Sequence, residues 1–167
     1  MNTELKEKIN PSVRIRPATT EDIPNIEISL RESWEMHLEN EPNLFDADRL
    51  RSSNIVKYYN EALESPDSTV LVAEVNNAFA GFIKVDVEKI QPWFKYNQTL
   101  WIDDVCVRND FRRQGVARSL VMKAEEEARN RNIHRIQARI YSFNEPIKNL
   151  LTSLGYDLPY MTANKVV

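Results

Sequence analysis

One stretch of the sequence, VCVRNDFRRQGVARSLV at 105–121, constrains the fold more than any other. Its apolar run ends abruptly at a cluster of arginines around Gly115, and an apolar-periodic segment typical of a helix follows. The amino end of a helix already carries partial positive charge, so additional cations are electrostatically unfavourable there. A negatively charged ligand at the start of the helix would explain their placement. The stretch therefore predicts a strand, a loop and a helix that together bind an anion.

Composition indicates one globular domain and restricts the classes of protein to which the chain can belong. The chain has 167 residues, 42% of them hydrophobic and 28% charged, with a formal net charge of -3. This charge argues against a nucleic-acid-binding protein, because such proteins present a basic surface. The chain has no apolar run long enough to span a bilayer, no apolar secretion signal, and a single cysteine. We therefore expect a cytoplasmic protein, with residues 1–12 as a loose tail and residues 13–167 as one domain.

Hydrophobic periodicity predicts strands that first pair as hairpins and later alternate with helices. Strands are predicted at 13–18, 69–75, 78–90, 100–107, 134–141 and 160–167, and helices at 19–38, 46–63, 118–131 and 144–155. Asn76 and Asn77 tolerate the positive φ that a tight hairpin between the second and third strands needs. The order of elements predicts an α/β fold.

The residue types around Gly115 suit a pyrophosphate group. Backbone N–H groups at the start of a helix lack intrahelical partners, and a glycine lets a ligand approach the backbone closely. The forked guanidinium groups of Arg112, Arg113 and Arg118 can pair with phosphate oxygens, and small Ala117 keeps the next position open. The segment is neither a Walker loop nor a G-x-G-x-x-G loop. Taken alone, RRQGVA is equally compatible with an ordinary loop glycine and solvated arginines.

Three separated segments together resemble the GNAT superfamily of acetyl-CoA-dependent N-acetyltransferases. Arg112, Gly115 and Ala117 fill the superfamily's [Q/R]-x-x-G-x-[G/A] signature. The preceding apolar VCV resembles its fourth strand, and NEPIKNLLTSLGY, which begins at Asn144, resembles its downstream helical segment. The resemblance implies the GNAT acyl-CoA N-acyltransferase fold, with a mixed central sheet of about six to seven strands flanked by about four helices.

The resemblance also assigns roles to residues, with acetyl-CoA as the cosubstrate. Residues that would contact its pantetheine arm are Val105, Cys106, Val107 and Asn144. Backbone N–H groups that would hold its pyrophosphate belong to Arg112, Arg113, Gln114, Gly115, Val116, Ala117 and Arg118. A backbone N–H of the fourth strand would also polarise the thioester carbonyl.

Two consecutive carboxylates, Asp103 and Asp104, interrupt the apolar strand and are predicted to point to opposite faces. An amine must lose a proton before it attacks a thioester, and a lysine-like ammonium has a pKa of about 10.4. A carboxylate whose pKa is raised by burial can accept that proton. By resemblance, Asp103 falls where family members carry a proton-accepting residue, and the pair is similar to the acids of diamine acetyltransferases that hold a cationic substrate. The alternative is one Asp bonded to a neighbouring loop and the other solvated.

Other candidate residues carry weaker signals. Leu151 departs from the family, which often has a tyrosine there to protonate the leaving thiolate; Tyr141 is an alternative acid. Cys106 is expected to be a small buried hydrophobe. His37 and His134 lack partners at metal-ligand or triad spacing and are expected to be surface or capping residues, so no metal is expected.

The predicted function is transfer of an acetyl group from acetyl-CoA to a primary amine of a small molecule or peptide, with Asp103 and Asp104 as catalytic residues. The alternative is an acyl-CoA sensor without catalysis, which Leu151 favours. Residues 34–50 and 91–99 are expected to shape the acceptor pocket, and Trp93, Phe94 and Tyr96 either line it or cover a homodimer contact. We expect neither nucleic acid nor a membrane as partner.

Overall fold

The computed structural model describes residues 13–165 and places a sheet between two layers of helices. Its strands are β1 Val13–Pro17, β2 Ser68–Val75, β3 Ala78–Lys89, β4 Gln98–Val107 and β5 Ile136–Ala138. Its α-helices are α1 Ile23–Asn40, α2 Ala47–Ser52, α3 Ile55–Glu64, α4 Val116–Asn130 and α5 Glu145–Ser153. Within this part of the chain, no helix is long and apolar enough to cross a membrane.

The strands follow one another across the sheet in chain order, from β1 to β5. The first three pairings are antiparallel, and β4 pairs with β5 in parallel. Asn76 and Asn77 connect β2 to β3 with φ values of 51° and 62°, which confirms the predicted hairpin. The parallel pair needs a crossover, and α4 supplies it on one face of the sheet.

The two faces of the sheet build separate core clusters. On one face, the amphipathic helix α4 contributes its buried stripe, and Leu151 of α5 joins the same cluster. On the other face, Ile26 and Leu30 of α1 pack with Tyr59 of α3 and Phe82 of β3. Burial of a large apolar side chain contributes about 1.5–3 kcal/mol, so both clusters hold the sheet rigidly between the helices.

The predicted element count is wrong in two places. The helix predicted at 46–63 is two helices, because the Asn54 side chain accepts the N–H of Lys57 at 2.9 Å and starts α3 separately. Residues 13–165 therefore contain five α-helices rather than about four. They contain five strands, since 160–165 forms none and residues 166–167 of that predicted strand lie outside the described range. The hydroxyl of Tyr160 instead accepts from Nε2 of Gln137 in β5 at 2.5 Å. Residues 1–12, the predicted tail, lie outside the described residues.

A bulge divides β4 into two halves. Lys84 of β3 lies opposite Asp104, but its neighbour Val85 lies opposite Ile102, so Asp103 is an extra residue in β4. Strand β5 pairs only with Leu100–Ile102 and is shorter than the predicted 134–141. We call Leu100–Ile102 the closed half of β4, because strands flank it on both sides. We call Val105–Val107 the open half, because β3 is the one strand among residues 13–165 that flanks it.

Candidate functional site

A first cavity lies between the open half of β4 and the segment that follows β5, with a volume of about 190 Å³. Val105 and Cys106 form one wall, and Tyr141 and Asn144 are on the opposite side. Asp103 and Asp104 line its inner end together with residues of α1. The structure thus brings the predicted pantetheine residues Val105, Cys106 and Asn144 together around one space. We call it the cofactor cleft.

A second cavity of about 310 Å³ lies against the same carboxylates. Its lining residues are Leu30, Trp34, Ser53, Asn54, Ile55, Tyr58, Asp103 and Asp104. Trp34, Asp103 and Asp104 line both cavities. The carboxylates therefore lie at the junction of two spaces, as a group that serves two reactants must. We call the second cavity the acceptor pocket.

Asp103 is held in an ion pair. Its Oδ2 accepts from Nζ of Lys84 at 3.0 Å and from the hydroxyl of Tyr58 at 2.7 Å. Lys84 is only 3% exposed and also pairs with Asp86. Burial opposes the charge of Lys84, but its hydrogen bonds to acidic and hydroxyl partners outweigh burial and raise its pKa. The lysine therefore stays protonated and shares its charge between Asp86 and Asp103.

Among residues 13–165, no cation forms a hydrogen bond or ion pair with Asp104. Its Oδ2 accepts from the hydroxyl of Tyr59 at 2.7 Å, and Tyr59 is fully buried. Burial raises the pKa of Asp104 to about 6, although the Tyr59 hydrogen bond opposes the shift. A carboxylate with this pKa is ionised at neutral pH and still basic enough to accept a proton, which suits a general base.

The prediction that Asp103 and Asp104 point to opposite faces is wrong. Both side chains meet α3, where the adjacent residues Tyr58 and Tyr59 donate to them. The bulge at Asp103 interrupts the regular alternation of side chains along β4, so two consecutive residues can face one helix. This interruption is what places both carboxylates at the junction of the cavities.

The start of α4 is uncapped and faces open space. Gly115 precedes the helix with a φ of 82°, and Arg113 also has a positive φ of 61°. Neither a side-chain cap nor an acidic residue occupies the first turn of α4, whereas Asp46, Asn54 and Asn144 cap α2, α3 and α5. A Cβ built at Gly115 would meet nothing within 4 Å, so the space in front of the helix is open. Uncapped N–H groups at a helix start favour an anion.

Polar side chains of the loop between β4 and α4, and Arg118 in the first turn of α4, hold the shape of this region. Arg112 Nε lies 3.4 Å from the carbonyl oxygen of Val107, and Arg118 Nη2 donates to Ser153 Oγ of α5 at 2.8 Å. Gln114 Nε2 donates to the carbonyl oxygen of Asp110 at 2.9 Å. The Arg112 and Gln114 bonds hold the loop after β4, and the Arg118 bond ties the start of α4 to α5. The backbone is therefore the better candidate for binding an anion than the Arg112 or Arg118 side chain.

Two other predicted residues, Asn144 and Cys106, have structural roles at the cleft, and a third, Leu151, packs in the core. Asn144 lines the cleft and also caps α5, since its Oδ1 lies 3.4 Å from the Ile147 nitrogen. Cys106 is buried, and burial raises the pKa of its thiol, which makes the thiol unreactive. Leu151 of α5 is 2% exposed and packs in the core.

The loop aromatics do not line either cavity. Residues 91–99 contribute nothing to the two spaces at the carboxylates, and Trp93 is 75% exposed. The guanidinium of Arg135 lies over the Phe94 ring, 5.1 Å from its centroid. Of the two segments expected to shape the acceptor pocket, only 34–50 contributes to these cavities, through Trp34, His37 and Phe45.

His37 is part of an aromatic cluster at the cleft, not a surface or capping residue. Its ring makes edge-on contacts with Phe45, Tyr141 and Phe143, at centroid distances of 5.6, 4.8 and 5.1 Å. Its Nδ1 lies 2.7 Å from the carbonyl oxygen of Ser33, which favours a proton on that nitrogen. Among residues 13–165, no three His, Cys, Asp or Glu side chains are grouped to hold a metal ion.

Sequence reasoning missed Lys84, Tyr58 and Tyr59, the partners of the two carboxylates. Lys84 did leave a signal, as a single cation inside the apolar run GFIKVDV. A buried lysine needs an anion, so the strand carboxylates could have been named as its partners. Tyr58 and Tyr59 left no signal in the sequence, because tertiary packing of a helix from the first half of the chain brings them to β4.

Comparisons with known proteins agree on the fold. The sequence model of the acetyltransferase (GNAT) family matches residues 30–156. A crystal structure of a mutant BH1408 protein from Bacillus halodurans has a TM-score of 0.83 at 21% identity, covering 92% of this chain and 99% of that one. A predicted acetyltransferase from Clostridium acetobutylicum, solved with acetyl-CoA, has a TM-score of 0.68 at 20% identity, covering 91% and 96%.

A third similar structure has a ligand of another kind. It is an aminoglycoside acetyltransferase from an uncultured soil metagenomic sample, in complex with sisomicin, with a TM-score of 0.68 at 15% identity. The match covers 96% of this chain and 99% of that one. Among curated proteins, no sequence matches this chain. At such identities the solved structures establish a shared fold.

Proposed function

Since the chain belongs to the GNAT acetyltransferase family, we propose that it transfers an acetyl group from acetyl-CoA to a primary amine while both reactants are bound. The observation that carries the proposal is the junction of two cavities at Asp104, whose pKa is raised to about 6. One cavity would hold the acyl donor and the other the amine. Holding two reactants at one point supplies much of the rate enhancement of such a reaction.

The residues present fit acetyl-CoA at two points. The uncapped start of α4, with Gly115 facing open space, is suited to a pyrophosphate. The open half of β4 offers backbone hydrogen-bonding groups on an edge that no strand among residues 13–165 covers, and pantetheine amides need such partners. Val105, Cys106, Val107 and Asn144 would hold the pantetheine arm. Bound acetyl-CoA supplies the acetyl group as an activated thioester.

Asp104 is the better base of the two carboxylates, which reverses the roles expected from the sequence. Lys84 pairs with Asp103 at 3.0 Å, whereas Asp104 bonds to the neutral hydroxyl of Tyr59 and keeps its other oxygen outside that bond. We assign proton removal from the ammonium of the acceptor to Asp104. Asp103, tied to Lys84 and Tyr58, keeps this corner of the pocket rigid. The bulge in β4 leaves backbone groups at Asp103 outside the β3–β4 ladder, where an N–H can polarise a carbonyl oxygen.

The leaving thiolate does not require an acid at Leu151. A thiol has a pKa of about 8.5, so the thiolate departs tolerably near neutral pH. Tyr141 lines the cofactor cleft and is the side chain placed to deliver a proton afterwards. We therefore expect Tyr141→Phe to slow turnover by less than about tenfold, which is below the roughly 100-fold or more that loss of an essential general acid causes.

Release of free CoA thiol from acetyl-CoA in the presence of mixed primary amines tests the proposal. We expect amine-dependent release that increases above pH 6. A sensor that binds acyl-CoA without catalysis is the second candidate, favoured by the buried Leu151 at the usual tyrosine position. Tight acetyl-CoA binding without thiol release from any amine would establish the sensor instead.

A further inference from the structure

One stripe of side chains on α1 runs along both cavities. Its members stand at the spacing i, i+3, i+4 and i+7, which places them on one face of the helix, and they are Leu30, Ser33, Trp34 and His37. Leu30 lines only the acceptor pocket, whereas Ser33 and His37 line only the cofactor cleft. The stripe therefore passes from one cavity to the other at Trp34, which lines both.

On β4, the same change occurs at the two carboxylates. Val105 and Cys106 line only the cofactor cleft, whereas Asp103 and Asp104 line both cavities. The junction is thus bounded by Trp34 from α1 and by two charged groups from β4. Among residues 13–165, Trp34 is the one apolar side chain that lines both spaces.

Packing holds the indole of Trp34 in place. Trp34 is half-buried and packs against the core cluster that contains Leu30, Tyr59 and Phe82. Tyr59 and Phe82 are fully buried and meet edge-on, with ring centroids 5.6 Å apart. Side chains in a close-packed core resist displacement when a ligand presses on their neighbour. We therefore treat Trp34 as a fixed wall of the junction.

In the proposed reaction, the acyl group and the amine meet at this junction. The amine nitrogen forms a bond to the acyl carbon and the carbon–sulfur bond breaks, while one amine proton passes to Asp104 and a second reaches the departing thiolate. The reacting atoms must approach to roughly 3–3.5 Å. The acyl group consequently lies at the inner end of the cofactor cleft, beside Trp34.

An acyl chain longer than acetyl can extend from there in three directions, and each one slows transfer. It can press on the indole of Trp34, which the packed core supports. It can enter the acceptor pocket, where it displaces the amine. It can cover the carboxylates of Asp103 and Asp104, which removes water from charged groups without pairing them. The methyl of an acetyl group is short enough to avoid all three.

We propose that Trp34 limits the length of the acyl group, so that the protein uses acetyl-CoA and discriminates against acyl groups of four or more carbons. The inference rests on the proposed acyl transfer and adds the residue that determines donor specificity. In this role Trp34 contacts the acyl group and takes no part in proton transfer.

Acetyl-CoA and butyryl-CoA form a matched pair for the test, since they share the whole CoA part and differ by two methylene groups. The thiol-release assay uses whichever of butylamine, 1,4-diaminobutane and kanamycin reacts fastest. We expect kcat/KM for acetyl-CoA to exceed that for butyryl-CoA by at least about tenfold, the discrimination that one misfitting methylene gives. Equal values, or a preference for butyryl-CoA, would overturn the proposal.

Two variants of Trp34 sharpen the test by lowering the wall in steps. We expect the acetyl preference to fall at least about fivefold in Trp34→Ala, because butyryl-CoA gains space, and by a smaller factor in Trp34→Leu. The leucine keeps an apolar side chain against the core, so that variant decides the question if the alanine variant does not fold. The preference is a ratio, so a general loss of activity cancels from it.

Trp93→Ala is the control, because Trp93 is 75% exposed and lines neither cavity. Its acetyl preference should equal that of the unmodified protein. An unchanged preference in a folded Trp34→Leu variant would contradict the proposal.

The two donors also separate the two levels of the claim. Amine-dependent thiol release from butyryl-CoA as fast as from acetyl-CoA would overturn the length limit and leave acyl transfer standing. No amine-dependent release from either donor, although calorimetry detects acetyl-CoA binding, would overturn both.

Discussion

The two halves of β4 belong to one strand but differ in what surrounds them. In the closed half, Leu100 and Ile102 are buried between β3 and β5. In the open half, β3 alone pairs with Val105–Val107, and the other edge faces the cofactor cleft. The change occurs at the bulge of Asp103. The candidate site therefore forms where β4 and β5 stop pairing, since an unpaired strand edge keeps its backbone hydrogen-bonding groups available.

The two carboxylates at this boundary also differ in their hydrogen-bond partners. Asp103 is paired with a buried lysine, as structural ion pairs are. Asp104 is bonded to a neutral hydroxyl and has a raised pKa. We therefore propose that Asp103 supports the site and that Asp104 performs the chemistry.

The largest expected effect separates Asp104 from Asp103. Asp104→Asn should lower kcat/KM by about 100-fold or more, the usual range for loss of a general base. Asp103→Asn should lower it by less than about tenfold, because it removes a supporting charge and not the base. Steady-state kinetics with the best acceptor measure both, and acetyl-CoA affinity should be unchanged in each. Equal losses would remove the distinction between the two residues.

The next effect concerns the start of α4. Gly115→Glu should weaken acetyl-CoA binding by at least about tenfold, since a side chain and a negative charge enter the space where the pyrophosphate would lie. The control is Gly155→Glu, because Gly155 also has a positive φ, 90° against 82°, and also faces open space. Both should lose a similar stability, about 1–2 kcal/mol. If calorimetry gives both variants the same affinity, the anion site is elsewhere.

A smaller effect tests how closely β3 supports the open half. A Cβ at Gly81 would lie 2.4 Å from the carbonyl oxygen of Cys106 and 3.1 Å from the Val107 Cα. Gly81→Ala should therefore displace β4 or destabilise the fold by about 1–3 kcal/mol, the usual cost of overpacking. Chemical denaturation measures the loss. A variant with full stability and unchanged acetyl-CoA affinity would contradict the close approach.

The smallest effects are changes in stability with opposite signs at the two carboxylates. In the folded protein the pKa of Asp104 is raised from 3.8 to about 6, so the protonated carboxyl group stabilises the fold fully at low pH. That stabilisation is lost as the pH rises through 6 and the group becomes charged. Asp104→Asn should therefore stabilise the fold at pH 8 by about 1–3 kcal/mol, and less as the pH falls towards 4. Asp103→Asn should destabilise it at pH 8, because Lys84 loses one of its anions. Unfolding at several pH values measures both changes, and the same sign for both would contradict the assignment.

Much of this arrangement could be predicted from the sequence because it depends on local signals. The strand, loop and helix around Gly115 follow from an apolar run, a glycine and helical periodicity, and α4 begins at Val116, two residues before the predicted Arg118. The hairpin at Asn76 and Asn77 is equally local. Local signals survive folding when tertiary contacts agree with them.

The remainder depends on events between distant segments. The bulge at Asp103 arises from a register shift against β3, and period-two reasoning assumes that no such shift occurs. The pKa of Asp104 depends on burial below α3, which no neighbour in the sequence indicates. The break at Asn54 creates the wall of the acceptor pocket, although the helical pattern runs through it.

The pH dependence of kcat/KM tests the central claim, that Asp104 is the base, most directly. We expect kcat/KM of the unmodified protein to rise with pH through a pKa near 6, as Asp104 loses its proton. Asp103→Asn should retain this limb, and Asp104→Asn should lose it together with most of the activity. A limb near 6 that persists in Asp104→Asn would show that another group accepts the proton and would contradict the account.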